Sequence, residues 1–253
     1  MINEMIKRNA LFVVNHSGGK DSQAMLLKLR GLVPASQLII VHASLGRFEW
    51  DGAIEHIENT CFDLPVIICK NLNKDFLQMV RHRRKWPSPQ QRQCTSDLKR
   101  GPIERTIRQH LKAHPLYNGL IVNCMGMRAQ ESPSRAKLET FKFNARNSKA
   151  GRQWYDWLPI HDWDVNQVFE SIRQAGQTPH PIYAAGMTRF SCRFCIMASK
   201  ADLQTAARLD PKTYAEIVET EKQINHTFIM PRKGCKAMGL EEYLGIPANS
   251  MTG

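Results

Sequence analysis

Short apolar runs alternate along this chain with segments whose apolar residues recur at helical spacing. Five runs have the length and the β-branched or aromatic content of buried strands: Leu11–Val14, Gln37–His42, Pro65–Cys69, Gly119–Cys124 and Trp154–Ile160. Helical spacing follows at Ala24–Leu29, Ile54–Phe62, Asp75–Arg84, from Pro102 onward, Asp164–Ala175, Lys200–Leu209 and Pro211–Ile224. Strands that are apolar on both faces and alternate with helices predict an α/β fold, a doubly wound and mostly parallel sheet with helices on both faces.

The first strand leads directly into Ser17-Gly18-Gly19-Lys20-Asp21-Ser22 and then into a helix. Such a turn presents backbone N–H groups and the positive end of the helix dipole to an anion. Adjacent glycines allow the backbone to approach a phosphate closely, and the lysine adds a positive charge. The glycine spacing is not that of a Walker loop. We interpret the segment as a pyrophosphate-binding loop, with a solvated surface turn as the alternative.

Two further segments carry candidate chemistry. The fourth predicted strand runs into Gly126, Arg128 and Glu131, where a guanidinium can grip phosphate oxygens and the carboxylate can orient it. Cys94-Thr95 is followed by Lys99 and Pro102, and the proline fits the first turn of a helix. The polar segment 145–152 is expected to be a mobile loop over the site.

The SGGKDS string, the G-x-R-x-x-E-S segment and the Cys-Thr pair with its Lys and Pro together resemble the phosphoadenosine phosphosulfate (PAPS) reductase family. This family belongs to the PP-loop ATP pyrophosphatases, also called adenine nucleotide alpha-hydrolases. The resemblance implies a nucleotide ligand, ATP, PAPS or adenosine phosphosulfate (APS), with Mg²⁺. It departs at Ser44, where the family usually has Asp. The implied nucleotide-binding residues are Ser17, Gly18, Gly19, Lys20, Asp21, Ser22, Gly126, Arg128 and Glu131, and the implied catalytic residues are Lys20, Arg128, Cys94 and Lys99.

Seven cysteines are free to bind metal or to do redox chemistry if the chain stays in the cytoplasm, which we expect because no leader or membrane span is evident. Cys94 and the Cys192-x-x-Cys195 pair fall in segments that the resemblance places near the nucleotide. They are candidate ligands of a [4Fe–4S] cluster or Zn²⁺, with Cys124 or Cys235 as a fourth ligand if the site is closed. A redox dithiol and inert thiols remain alternatives.

The length of 253 residues predicts one sizeable domain, residues 1–190, with a small helical, cysteine-containing appendage over residues 191–253. The net charge of +12 is concentrated in Arg81–Lys112, which contains ten Lys or Arg residues and only two acidic residues. This concentration suits DNA, RNA or a nucleotide with extra phosphates. A solvated helix face is the alternative.

Three functions compete. The first is an enzyme that cleaves ATP to AMP and pyrophosphate and adenylates an acceptor, such as nucleic acid, for sulfur transfer. The second is a sulfonucleotide reductase that releases sulfite, although the Glu-Cys-Gly-x-His tail of such reductases is replaced by Lys233-Gly234-Cys235-Lys236-Ala237. The third is a non-catalytic nucleotide- or nucleic-acid-binding module. Expected partners are an adenine nucleotide, a sulfur donor or reductant protein and a second copy in a homodimer.

Overall fold

The computed structural model of this protein describes residues 1–231, 234 and 236–248, so Cys235 lies outside the described residues. Its strands are β1 (Leu11–Asn15), β2 (Leu38–Ala43), β3 (Val66–Cys69), β4 (Leu120–Met125), β5 (Phe141–Phe143) and β6 (Gln153–Trp157). They form a sheet in the order β3-β2-β1-β4-β6-β5. Neighbouring strands are parallel except for the antiparallel pair of β5 and β6. The predicted α/β fold with a mostly parallel sheet is confirmed.

The helices are α1 (Ile2–Lys7), α2 (Lys20–Arg30), α3 (Ala53–Thr60), α4 (Phe76–Arg83), α5 (Gln93–Thr95), α6 (Gly101–Ala113), α7 (Pro133–Ala136), α8 (Val165–Gln174), α9 (Lys200–Leu209), α10 (Pro211–Ile224) and α11 (Leu240–Leu244). Five of these helices start at a polar side-chain cap; for example, Asp75 and Asp164 form capping boxes at α4 and α8. None of the described helices combines the length and hydropathy required to cross a bilayer.

The chain divides into two compact units. The first comprises Met1–Ala43, Gly52–Cys69 and Ile103–His180 and contains the whole sheet. The second comprises Ser44–Asp51, Lys70–Pro102 and the chain from Pro181 onward. The expected division at residue 190 stays a prediction.

Both faces of the sheet in the first unit are covered. Along β1, Phe12 and Val14 pack with residues of α1, α2, α3 and α8, whereas Leu11 and Val13 pack with residues of α6. These four side chains are fully buried, which explains why β1 is apolar at every position rather than at alternate positions. The second unit has its own apolar core of α4, α9, α10 and α11, in which Trp86 stacks edge-on against Phe228.

Three details differ from the sequence-based expectations. The helix expected to start at Pro102 begins at Gln93 and passes through a π-helical segment, Ser96–Arg100. Proline has no N–H for the α-helical bond to the carbonyl of Leu98, which accounts for the widened turn just before it. Strand β5 was not predicted because it has three residues. Segment 145–152, expected to cover the site, instead joins β5 to the amino end of β6 and is tied down there by hydrogen bonds of Ser148.

A polar network crosses the sheet on the β4 and β6 side. The Asp156 carboxylate accepts hydrogen bonds from Asn123 Nδ2 at 2.8 Å, Asn144 Nδ2 at 2.7 Å and Trp154 Nε1 at 3.1 Å. Asn123 Oδ1 in turn accepts from Asn15 Nδ2 at 2.7 Å. All three donors to the carboxylate are partly buried. Through them Asp156 connects the β5–β6 hairpin to β4, and Asn123 extends the connection to β1.

We expect Asp156→Ala to lower the free energy of unfolding by about 2–4 kcal/mol, because it leaves three partly buried donors without their acceptor. Asp156→Asn keeps one acceptor oxygen, and we expect it to lose less. Urea denaturation followed by tryptophan fluorescence measures both. Equal, small effects of the two substitutions would contradict a structural role for the network.

Candidate functional site

The candidate nucleotide site lies at the carboxyl edge of the sheet, in the first unit. From β1 the chain continues to β2 on one side, whereas β4 and then β6 lie on the other. In open α/β sheets such a reversal of strand order opens a crevice for ligands. The loop Ser17–Gly19 follows β1 and Gly126 follows β4, so both predicted segments meet at this point.

The glycine loop is shaped by its own polar groups. Gly18 adopts a left-handed conformation with φ of 85°, which glycine tolerates without strain. Ser22 Oγ accepts from the backbone N–H of Ser17 at 3.1 Å and donates to the carbonyl of Gly19 at 2.8 Å. Gly19 is the residue preceding α2, so the N–H groups of the first helical turn lie beside the loop.

Gly126 allows the loop after β4 to touch the start of α2. A Cβ atom at this position would lie 2.9 Å from the Asp21 carbonyl oxygen and 3.2 Å from the Ser22 backbone nitrogen. Real Cβ atoms do not approach backbone atoms so closely, so a side chain here would push the two segments apart. The glycine predicted from sequence to let the strand end turn therefore also sets the width of the site.

Two buried cations share one carboxylate at the start of α2. Lys20 Nζ lies 3.0 Å from Asp21 Oδ2, and Arg128 Nε lies 2.7 Å from Asp21 Oδ1. The exposed fractions of Lys20 and Arg128 are only 6% and 5%. Among these three side chains two positive charges meet one negative charge, a balance that favours an anionic ligand.

Arg128 is held from several sides. Its backbone N–H donates to Glu131 Oε2 at 2.9 Å, and its Nη1 donates to Gln130 Oε1 at 2.8 Å. Glu131 also forms an ion pair with Arg135. Glu131 thus fixes the backbone at Arg128 rather than pairing with the guanidinium, and Gln130, which sequence reasoning missed, takes the side-chain contact.

His16 is a second residue that sequence reasoning missed. Its Nδ1 accepts a hydrogen bond from the Gly18 N–H at 3.1 Å, which supports the left-handed turn of the loop. Burial, with a smaller effect of the neighbouring His42 and His56, lowers the pKa of His16 to about 3, so the ring is neutral and Nδ1 can accept. The sequence did contain a signal for this role, since His16 is a polar residue between an apolar strand and SGGKDS.

The cysteines predicted to act together lie in the second unit. Cys192 donates a hydrogen bond to Cys195, which lowers the pKa of Cys195 to about 6 and raises that of Cys192. The Met197 N–H also donates to Cys195 Sγ, at 3.4 Å. Burial raises the pKa of Cys94, with Cys195 adding to the rise and Lys99 opposing it. The structure therefore brings the three predicted thiols and Lys99 into one electrostatic group.

No arrangement of three or more His, Cys, Asp or Glu side chains that could hold a metal ion occurs in residues 1–231, 234 and 236–248. The thiols have the donor chemistry that Zn²⁺ and iron–sulfur clusters prefer. Cys124, one candidate for a fourth ligand, is fully buried in the core of the first unit, and the other, Cys235, is not described. Ser44 Oγ donates to Glu49 Oε2 at 3.1 Å, so a short polar side chain occupies the position of the usual Asp.

The basic stretch Arg81–Lys112 is divided between the two units. Its part up to Arg100 belongs to the second unit, whereas its three remaining cations, on α6, belong to the first. Arg81 is partly neutralised, since it pairs with Glu216 and donates to Thr220 Oγ1. Each part therefore has to be assessed separately as a contact for a polyanion.

We expect His16→Ala to speed hydrogen exchange of the Gly18 amide about fivefold, because it removes a hydrogen bond of about 1 kcal/mol. Asn places its Oδ1 where His has Nδ1, so His16→Asn is the matched control and should exchange near the wild-type rate. Amide exchange measured by NMR decides the matter. Exchange that is equally fast in both variants would show that Nδ1 is not the acceptor.

We expect Cys195 to react with iodoacetamide with a midpoint near pH 6, because the thiolate is the nucleophile and its pKa is about 6. Cys192→Ala removes the hydrogen bond that stabilises the thiolate, so the midpoint should move to higher pH. Cys192→Ser keeps a donor and should move it less. Mass spectrometry of the alkylated peptide follows the reaction. A midpoint near pH 9 in the wild type would contradict the assignment.

Comparison with known proteins supports the sequence resemblance. A family model described as the phosphoadenosine phosphosulfate reductase domain matches residues 11–198. An uncharacterized 37.8 kDa protein from the gpa 5' region of Escherichia phage 186 is 31% identical over 157 residues. That match covers 62% of this chain and 45% of the relative, so the chain spans less than half of the length of the curated relative it matches.

Solved structures with a similar fold include FMN adenylyltransferase from Candida glabrata, with a TM-score of 0.47 and 13% identity over 74% of this chain and 54% of that one. PAPS reductase from Candida auris in complex with phosphate gives a TM-score of 0.46 and 12% identity over 71% of this chain and 80% of that one. The family match covers most of the chain, including every segment on which the resemblance was based. This chain belongs to the phosphoadenosine phosphosulfate reductase domain family.

Proposed function

We propose that this protein binds ATP and cleaves it to AMP and pyrophosphate, adenylating an acceptor that then receives sulfur. The observation that carries the proposal is the Lys20–Asp21–Arg128 group, in which two buried cations share one carboxylate beside a glycine loop. Family membership supports an adenine nucleotide as the ligand of this site, and the two cations suit its phosphates.

Each residue of the site has a role in this reaction. The backbone N–H groups of Gly18 and Gly19 and the first turn of α2 bind the β- and γ-phosphates. Lys20 and Arg128 stabilise the negative charge that builds up as pyrophosphate leaves, and Asp21 holds both cations in place. An acceptor oxygen attacks the α-phosphorus, the bond to the pyrophosphate oxygen breaks, and the acceptor retains AMP. A sulfur nucleophile then displaces AMP by breaking the bond between the acceptor and the AMP oxygen.

Mg²⁺ would enter as the counter-ion of the nucleotide, bound mainly by phosphate oxygens. Both carboxylate oxygens of Asp21 are already engaged by Lys20 and Arg128, so Asp21 does not fit as a metal ligand in this state.

We propose that Cys94, Cys192, Cys195 and Lys99 handle the sulfur. Lys99 favours the thiolate at each of the three cysteines, and thiolates are the form that attacks sulfur or binds metal. A [4Fe–4S] cluster or Zn²⁺ on these three thiols would supply an open position for a sulfur atom. Among the described residues no three side chains of the metal-binding types are arranged as a metal site. A sulfur donor or reductant protein would restore the thiols.

The basic residues of Arg81–Lys112 support nucleic acid as the acceptor. Cations outnumber acids in each part, seven to one up to Arg100 and three to one on α6, and such an excess attracts phosphate backbones. We also propose that two copies of the chain form a homodimer.

A sulfonucleotide reductase is the second candidate, because the low pKa of Cys195 suits a thiolate that attacks the sulfonyl sulfur of PAPS or APS. The attack forms a sulfur–sulfur bond and releases the nucleotide, and a second thiol then frees sulfite. A non-catalytic nucleotide-binding module is the remaining alternative, and the turnover measurements test it directly.

We expect the protein, purified without oxygen, to release pyrophosphate from ATP and Mg²⁺, and to release more when DNA or RNA is present. Lys20→Ala should lower the rate at least about a hundredfold, because removing one preorganised positive group from a transition state costs that much. Lys137→Ala, which changes an exposed lysine of the same unit, is the control and should have no effect. Iron and zinc contents are measured on the same preparation.

Sulfite release from PAPS with a thiol reductant, without pyrophosphate release from ATP, would transfer the protein to the reductase class. Absence of both reactions, with ATP binding intact, would favour the binding module. Equal pyrophosphate release by wild type and Lys20→Ala would show that the glycine loop has been assigned wrongly.

A further inference from the structure

A groove in the first unit carries positive charge far from the nucleotide edge of the sheet. Its cavity volume is about 470 Å³, and its charged lining residues are Arg105, Arg108, Lys112 and Arg152. None of its described lining residues is acidic. The groove also includes Gly119, which immediately precedes β4, and Gly151, which lies just before β6.

The position of the groove separates it from the candidate active site. Strands β1, β4 and β6 are parallel, and the glycine loop follows the carboxyl end of β1. Gly119 lies at the amino end of β4, a strand of six residues that spans about 20 Å. An anion in the groove therefore lies at the opposite edge of the sheet from the phosphates of a bound nucleotide.

The cations on α6 form a stripe. Ile103, Ile107 and Leu111 face the sheet, so positions 105, 108 and 112 lie together on the exposed side. At a rise of about 1.5 Å per residue, they extend over about 10 Å along the helix. One nucleic acid strand carries a phosphate about every 3.4 Å along its axis, so the stripe matches about three consecutive phosphates.

The charges of these cations and of Arg152 are not neutralised by ion pairs with the described residues of the protein. None of the four cations takes part in an ion pair with the described residues, and the Nε of Arg152 is buried without a hydrogen-bond partner among them. The nearby Glu104 is already engaged by Arg146 and Asn147, outside the groove lining. The groove therefore presents four uncompensated positive charges at one place.

We propose that this groove binds the phosphate backbone of a duplex nucleic acid and docks it on the protein, away from the reacting centre. None of the described residues that line the groove is aromatic, whereas sites for single strands stack bases on aromatic rings. Protein partners would require an apolar or aromatic contact core, which this lining does not provide. Three of the four cations are arginines, whose planar guanidinium matches phosphate oxygens in pairs.

This inference rests on nucleic acid as the partner in the proposed function, but not on the chemistry of ATP. Binding is therefore measured without nucleotide. The probe is a fluorescent DNA duplex, titrated with the full-length protein at several salt concentrations and followed by anisotropy. An RNA duplex of the same sequence forms a second arm, which identifies the kind of duplex, and the single DNA strand forms a third.

The test variant replaces Arg108, Lys112 and Arg152 by Gln. We expect weaker duplex binding and a slope of log affinity against log salt that is shallower by about 2.7, since each lost phosphate contact removes about 0.9. The control variant replaces the exposed Lys7, Lys137 and Lys142 by Gln, removing the same charge elsewhere on this unit, and should keep the slope. Both variants should release pyrophosphate from ATP as the wild type does.

A second comparison replaces Arg83, Arg92 and Arg100, which line another cavity in the second unit. If these substitutions lower the slope and the groove substitutions do not, the inference is overturned. It is also overturned if the wild type binds the single strand more tightly than either duplex, or if the control variant loses as much affinity as the groove variant. Loss of pyrophosphate release with duplex binding intact would instead count against the proposed function alone.

Discussion

The candidate site depends on the sharing of one carboxylate by two buried cations. Lys20 and Arg128 come from segments more than a hundred residues apart, and Asp21 is the group that both contact. Burial removes the hydration of both cations and brings two positive charges close together, and the carboxylate of Asp21 compensates for both costs. The tight approach of Gly126 to the start of α2 brings the two segments close enough for this arrangement. A single anionic contact thus joins the glycine loop to the loop after β4.

Local signals were sufficient for much of the fold and of this site. The strands around SGGKDS and Gly126 are apolar at every position because both faces of the sheet are covered, and that pattern is visible in the sequence. The loop residues are identified by their order along the chain, since a glycine turn between a strand and a helix needs no distant partner. The family match over residues 11–198 confirmed the resemblance drawn from these segments.

What escaped prediction depends on contacts between distant segments or on small energy differences. Gln130, rather than Glu131, contacts the Arg128 guanidinium, and either side chain was chemically suitable. The neutral state of His16 results from burial, which the sequence does not display. The start of the helix at Gln93 was missed because proline was interpreted as a first-turn residue, whereas here it follows a widened turn. Arg152 joins the α6 cations only through the β5–β6 hairpin.

The π-helical segment Ser96–Arg100 has a consequence for the cysteine group. In a regular α-helix, residues five apart point about 140° away from each other, since each residue adds about 100°. Hydrogen bonds from each residue to the fifth one along place such residues in adjacent turns. Cys94 and Lys99 are five apart, and the ammonium group favours the Cys94 thiolate. The widened turn between the two residues thus links the backbone geometry of this segment to the acidity of a sulfur.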